Sequence, residues 1–180
     1  MQTLTFTKNS CPVKTLNGIP FKKWSPPKDW NAVEGQIPMR VYPFPSRKDN
    51  KTIGSGLIIK EPDGRIWIQK PTNEFGGIKY SFPKGQMEEN LTFQSNAIKE
   101  AWEETGIKAR ITGYCGDKIG RYSFNRFYYA VRETGDPTDF GWETEAVLLA
   151  HIDQLYLYLN LESDRKFAYK HLNAYMPEYP

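Results

Sequence analysis

The sequence predicts an α/β domain, and three observations carry that expectation. The segment Leu91 to Thr105 is free of Gly and Pro and sets Phe93, Ala97, Ile98, Ala101 and Trp102 on one face at helical spacing. Strand-like runs stand on both sides of it, at Ile53 to Lys60, Arg65 to Lys70, Ala109 to Thr112, Phe124 to Arg132 and Glu145 to Ala150. The chain has 180 residues, 39% of them apolar and 25% charged, which suits one domain with a sizeable core.

Residues 1–50 read as a Pro-rich arm and residues 51–180 as the domain. The arm holds seven of the 13 prolines (Pro12, Pro20, Pro26, Pro27, Pro38, Pro43 and Pro45), so it cannot propagate a long helix. It also carries Phe21, Trp24, Trp30, Val41, Tyr42 and Phe44, which a free linker would not need. These residues predict an ordered, mostly extended arm packed on the domain or on a second subunit, and a homodimer through the arm is expected on the same ground.

Within the domain, Pro62-Asp63-Gly64 is a turn signal that predicts a hairpin between the first two strands. Pro71 to Gly77 reads as a loop, Tyr80 to Phe82 as a short extended stretch, and Pro83-Lys84-Gly85 as a break. Asn90 is the expected cap of the helix, and Gly106 stands where a left-handed glycine ends one. Helical stretches are expected at Ile152 to Leu159 and at Asp164 to His171.

Composition excludes several classes. A net charge of +3 leaves no footprint of a non-specific nucleic-acid binder. A mean hydropathy of −0.65, with no run approaching a membrane span, argues against a membrane protein. Cys11 and Cys115 lack metal-ligand spacing and disulfide density, so a reducing cytoplasm is the expected compartment. His151 and His171 have no partners at ligand spacing and read as surface or packing residues.

The polar side of the long helix is less ordinary. Glu100, Glu103 and Glu104 lie at i, i+3 and i+4 and share one stripe. Like charges on neighbouring turns repel by roughly a few tenths of a kcal/mol per pair. They also stand at the C-terminal half of the helix, the wrong end for anions. As pure structure the stripe is a mild liability; for a hard divalent cation it is a set of ligands.

From Gly85 the chain reads Gly-Gln-Met-Glu-Glu-Asn-Leu-Thr-Phe-Gln-Ser-Asn-Ala-Ile-Lys-Glu-Ala-Trp-Glu-Glu-Thr-Gly-Ile. This resembles the Nudix box, G-x5-E-x7-R-E-U-x-E-E-x-G-U, where U is a bulky apolar residue. Gly85, Glu100, Glu103, Glu104, Gly106 and Ile107 stand at its required positions, Ala101 roughly fills the middle U, and Phe82-Pro83-Lys84 leads in. Two positions depart: the first Glu of the box falls on Leu91 and its Arg on Lys99. Leu91 would pack that junction by apolar contact, and Glu88 or Glu89 would supply the missing negative charge. Outside the box the likeness covers Ile53 to Leu159 by element order.

The resemblance implies an α/β/α sandwich, a mixed sheet between the box helix and the C-terminal helix. It also implies hydrolysis of a nucleoside diphosphate linked to another moiety, with an ADP-sugar or a dinucleotide polyphosphate as small-molecule substrate. The implied ligands for Mg²⁺ or Mn²⁺ are Glu100, Glu103, Glu104 and the carbonyl of Gly85. The implied general base is a helix carboxylate, Glu103 or Glu104, or a Glu on a later loop, where Glu143 is favoured over Glu145. Lys84, Arg121 and Arg126 are candidates for phosphate. Phe75, Tyr122, Phe124 and Trp142 are candidate stacking surfaces for a base. Tyr122 stands close to a Tyr of dinucleoside polyphosphate hydrolases, and the Pro common in ADP-ribose hydrolases has no counterpart between Ile107 and Pro137. The rival reading is a Nudix-fold sensor that binds a nucleotide or RNA without cleaving it. A third, an RNA 5′-end pyrophosphohydrolase, would want a more basic groove.

Overall fold

The computed structural model describes residues 2–40, 42–43 and 51–179. Val41, Phe44 and Pro45 of the arm lie outside the described residues. The strands are β1 (Leu4–Phe6), β2 (Thr15–Leu16), β3 (Ile19–Pro20), β4 (Thr52–Ile59), β5 (Arg65–Pro71), β6 (Lys84–Gln86), β7 (Ile107–Ile119), β8 (Ser123–Gly135) and β9 (Thr144–His151). The helices are α1 (Phe93–Thr105) and α2 (Glu162–Leu172), with a short 3₁₀ segment at Ile152–Leu157 where a longer helical stretch was expected. Among the described residues no helix is long and apolar enough to cross a membrane.

The domain strands form two sheets between the helices. One has the order β6-β4-β8-β7 and is mixed, because β4 runs parallel to β8 and the other pairs are antiparallel. The other, β1-β9-β5, is antiparallel. Alternation along the strands builds the layers. Leu57, Ile59, Trp67, Val147 and Leu149 join Ala97, Ile98 and Ala101 of α1 in one core. Their neighbours Ile58, Ile66, Ile68, Ala146 and Leu148 join Phe167 and Ala168 of α2 in the other. The strands are therefore apolar on both faces, as an α/β/α sandwich requires.

Three expectations are corrected. The predicted hairpin of the first two domain strands does not form a ladder: they meet at one bridge, Lys60 with Ile66, around the left-handed Gly64. Both edges of β4 are already taken by β6 and β8, so β5 turns away to pair with β9. The expected break at Pro83-Lys84-Gly85 is strand β6. Pro83 lacks a donor but still accepts from the Leu57 N–H at 3.1 Å, and Lys84 and Gly85 pair with Gly56 and Ser55. The helix cap is Thr92 rather than Asn90. Thr92 and Ser95 cap reciprocally, while Asn90 occupies a left-handed turn two residues earlier. Gly106 does end α1 in the left-handed conformation.

The arm packs along its own domain. β1 adds to the edge of β9, with Leu4 opposite Leu149 and Phe6 opposite Val147. β2 and β3 make a hairpin whose turn is Asn17-Gly18, both at positive φ. Trp24 and Trp30 pack against Trp102 of α1 at ring separations of 6.1 and 5.8 Å. Among the described residues, Phe21, Trp24, Trp30 and Tyr42 of the arm make ring contacts within the one chain.

Candidate active site

Strand β6 and helix α1 bring the site together. Gly85 lies directly beneath Glu100: a Cβ built on it would fall 2.0 Å from the Glu100 carboxyl carbon. Only glycine leaves that carboxylate its space. Glu88, just after β6, and Glu100 and Glu103 of α1 each offer a carboxylate oxygen, and these atoms all lie within 4.8 Å of one another. Of the expected ligand set, Glu100 and Glu103 are therefore in the cluster, and Glu88 joins them.

Glu104 stands apart from this trio. One of its oxygens accepts from the backbone N–H of Lys84 at 2.8 Å and the other from Gln69 Nε2 at 3.4 Å. Burial pushes its carboxyl up to about 8, against the pull of Lys84, with the Glu100 and Glu143 charges adding to the rise. Burial, followed by the neighbouring Glu103 charge, pushes Glu100 up to about 7. Lys99 places its ammonium 2.6 Å from Glu88 and 2.7 Å from Glu103, so the cation at this box position is braced by Glu88. Leu91 is half-buried and lines a hollow of about 910 Å³ with Ile53, Met87 and Glu88.

Beside the stripe lies a cleft of about 390 Å³ lined by Gln69, Phe75, Lys84, Glu104, Trp142 and Glu143, among others. Four of the expected site residues outside the box, Phe75, Lys84, Trp142 and Glu143, meet here. Glu143 is exposed at the cleft, whereas Glu145 is engaged with Lys70 at 2.9 Å. The main chain ties the two walls: Thr72 donates its N–H to the Glu143 carbonyl and its hydroxyl to the Trp142 carbonyl, both at 2.8 Å.

Other expected substrate groups do not gather in this cleft. Arg121 and Tyr122 sit at the exposed β7–β8 turn, the guanidinium 5.1 Å from the ring centre, and neither lines the cleft. Phe124 is 3% exposed and offers no stacking face to solvent. Arg126 is buried, paired with Asp117 at 2.8 and 2.9 Å, and donates to the carbonyls of Tyr42 and Pro43. It holds the end of the arm rather than a phosphate. His151 accepts from the Asp153 N–H, and His171 packs on Phe167 with ring centres 4.5 Å apart. Cys11 and Cys115 are free.

Sequence reasoning missed Gln69 and Ser81. Gln69 has the same strand parity as Trp67, so it faces the α1 side. A polar residue there, between Trp67 and Pro71 on the same face, was the available signal.

Fold and site together define an α/β/α sandwich with a carboxylate-bearing helix laid over the glycine of an edge strand. The NUDIX domain model matches residues 50–172, and the chain belongs to the Nudix family. A curated relative, the RNA pyrophosphohydrolase of Caulobacter vibrioides (strain NA1000 / CB15N), is 31% identical over 52 residues, 29% of this chain. That match spans only 30% of the relative's length. Among solved structures, an ADP-ribose pyrophosphatase from Streptococcus suis 89-1591 superposes with a TM-score of 0.53 at 18% identity, over 69% of this chain and 94% of that one. An Ap4A hydrolase from C. elegans gives 0.52 at 13% identity, over 68% and 96%. At these identities the structural likeness establishes the fold.

Proposed function

We propose that this protein hydrolyses the pyrophosphate bond of a nucleoside diphosphate linked to another moiety, an ADP-sugar or a dinucleotide polyphosphate, with Mg²⁺ or Mn²⁺. The observation that carries the reading is the convergence of three carboxylate oxygens within 4.8 Å of one another over a glycine that admits no side chain. Converging carboxylates, of which burial pushes Glu100 up in pKa, are a donor set suited to a hard cation. Glu88, Glu100 and Glu103, with the carbonyl of Gly85, would hold it; Glu104 contributes from the cleft side. Such a cation, when bound, neutralises diphosphate charge and makes water a better nucleophile.

The chain's own groups supply the rest. Lys84, half-buried in the cleft wall, meets phosphate oxygens. Glu143, exposed and free of the lysine that holds Glu145, takes the proton of the attacking water. Lys99 keeps Glu88 and Glu103 oriented. The superposed structures include an ADP-ribose pyrophosphatase and an Ap4A hydrolase, which supports this substrate class.

The test is product release from ADP-ribose, diadenosine tetraphosphate and a 5′-triphosphorylated RNA oligonucleotide, with Mg²⁺ and with EDTA. Metal-dependent release of a nucleoside monophosphate from either of the first two supports the reading. Cleavage of the RNA alone moves the substrate class, and saturable binding without turnover of any of the three assigns a sensor. Glu103→Gln is expected to abolish turnover with an unchanged circular dichroism spectrum; retained wild-type activity overturns the assignment. Glu143→Gln is expected to cost roughly 10²–10⁴-fold in kcat with little change in KM.

A further inference from the structure

We propose that Lys8, in the arm, is a positioning residue for the hydrolysis: through the Phe140 carbonyl it sets where the loop carrying Glu143 stands relative to the carboxylates of α1. The inference rests on the hydrolase reading and gives a part in it to a residue outside the family match, which begins at residue 50.

The register of β1 on β9 brings Lys8 to this loop. Phe6 lies opposite Val147 in an antiparallel pair, and β9 begins at Thr144, the residue after Glu143. Just past β1 the chain therefore runs beside the end of the loop of residues 136–143. A turn holds it there: Thr7 donates its N–H to Ser10 Oγ at 2.8 Å, and its carbonyl accepts from the Ser10 N–H at 3.0 Å. Lys8 Nζ donates to the Phe140 carbonyl and lies 4.6 Å from the centre of the Phe140 ring. That ring is itself fixed, 2% exposed in the core that contains Ala97, Ile98 and Ala101 of α1. One ammonium thus holds both the carbonyl and the ring of a single buried residue.

The next residue joins the loop to the carboxylate stripe. Gly141 donates its N–H to the carbonyl of Glu103, which lies in the last turn of α1, where the helix supplies no donor of its own. A Cβ at 141 would fall 3.1 Å from that oxygen, so glycine allows the approach. On the far side, Thr72 bonds the carbonyls of Trp142 and Glu143. Glu143 is therefore placed by main chain held at both ends, and Lys8 grips the residue beside the bond to Glu103. Lys23 also reaches this loop, 3.0 Å from Asp139, but its side chain is 73% exposed and such a pair holds little. A displacement of about 1 Å in a reacting group can lower the rate about 10²-fold, so the tie is expected to show in turnover.

The experiment compares Lys8→Met, Lys8→Arg, Glu143→Gln and the double variant Lys8→Met/Glu143→Gln. The substrate is whichever of ADP-ribose, diadenosine tetraphosphate and the triphosphorylated RNA the wild type cleaves. Lys8→Met keeps the stem on the ring and removes the donor; Lys8→Gln takes its place if that variant does not fold. Lys8→Met is expected to lower kcat about tenfold or more with KM within about twofold, and Lys8→Arg to restore most of the loss. In the Glu143→Gln background Lys8→Met is expected to lower kcat no further, because the group it positions is gone. Hydrogen exchange across residues 136–143 is expected to quicken in Lys8→Met and to stay as in the wild type in Lys23→Gln. A kcat within about twofold of the wild type, the same loss in both backgrounds, or unchanged exchange in Lys8→Met overturns the proposal. Wild-type turnover indifferent to Lys8→Met rejects the positioning role and keeps the enzyme. Absence of turnover in the wild type rejects the hydrolase reading and with it a role in hydrolysis, and exchange then tells whether the tie itself stands.

Discussion

At the scale of single residues, Gly85 and Glu100 compete for one space. An alanine at 85 would put its Cβ within 2.0 Å of the Glu100 carboxyl carbon, so that side chain must leave its position. Gly85→Ala is expected to lose roughly 10²-fold in kcat/KM while the helical signal in circular dichroism stays. The raised carboxyls set a pH dependence. Glu100 and Glu104 rise from 4.5 to about 7 and about 8. The native state therefore holds protons that the unfolded chain has released, and the stability this lends is full below about 4.5 and lost as pH climbs through about 7 and about 8. Thermal melts in EDTA should show the midpoint falling from pH 5 to 8.5, and Glu104→Gln should flatten the slope; an equal slope in that variant refutes it. Glu100 and Glu103 were legible because helical spacing alone puts them together. Phe124 and Arg126 were not, because a strand covered on both faces gives no hint of which polar residue is buried with its partner.

At the scale of elements, the arm does something that its proline content conceals. Asn31 Oδ1 accepts from the Thr92 N–H at 3.2 Å and the Ser95 hydroxyl at 3.1 Å, and Gln94 exchanges two bonds with the main chain of Ile37. The first turn of α1 is thus capped from inside and again from the arm, close to the positions where Leu91 and Lys99 depart from the family pattern. Asn31→Ala is expected to cost about 1 kcal/mol, read as a lower denaturant midpoint at unchanged m-value. An unchanged midpoint would show that Thr92 and Ser95 suffice. α1 and its glycine stop were legible from periodicity. The hairpin expectation failed because a turn signal is local, whereas the partners of β4 and β5 lie at residues 84–86, 123–130 and 144–151. The Asn17-Gly18 turn was readable and was hidden by the surrounding prolines.

At the scale of the whole molecule, a buried ion pair joins three parts of the chain. Glu61 and Arg132 have no exposed side-chain surface and meet at 2.6 Å. Glu61 also accepts from Trp67 Nε1 at 2.8 Å and from Asn17 Nδ2 at 3.0 Å. Arg132 donates to the Leu16 carbonyl at 2.9 Å and to those of Ile19 and Pro20 at 3.3 Å. Glu61→Ala leaves a buried guanidinium without its anion and is expected to destabilise by about 3–5 kcal/mol in equilibrium unfolding. A loss under about 1 kcal/mol would mean the network is replaceable.

The edge strand β1 has a further consequence. It finds its partner in residues 147–149, on β9. A ribosome makes residues 4–6 long before that partner exists, so this strand waits with its hydrogen-bonding groups unclaimed while the rest of the domain is synthesised. Docking of β1 has to await residues 147–149, and the interval before it is when the nascent chain is open to mispairing with a neighbour.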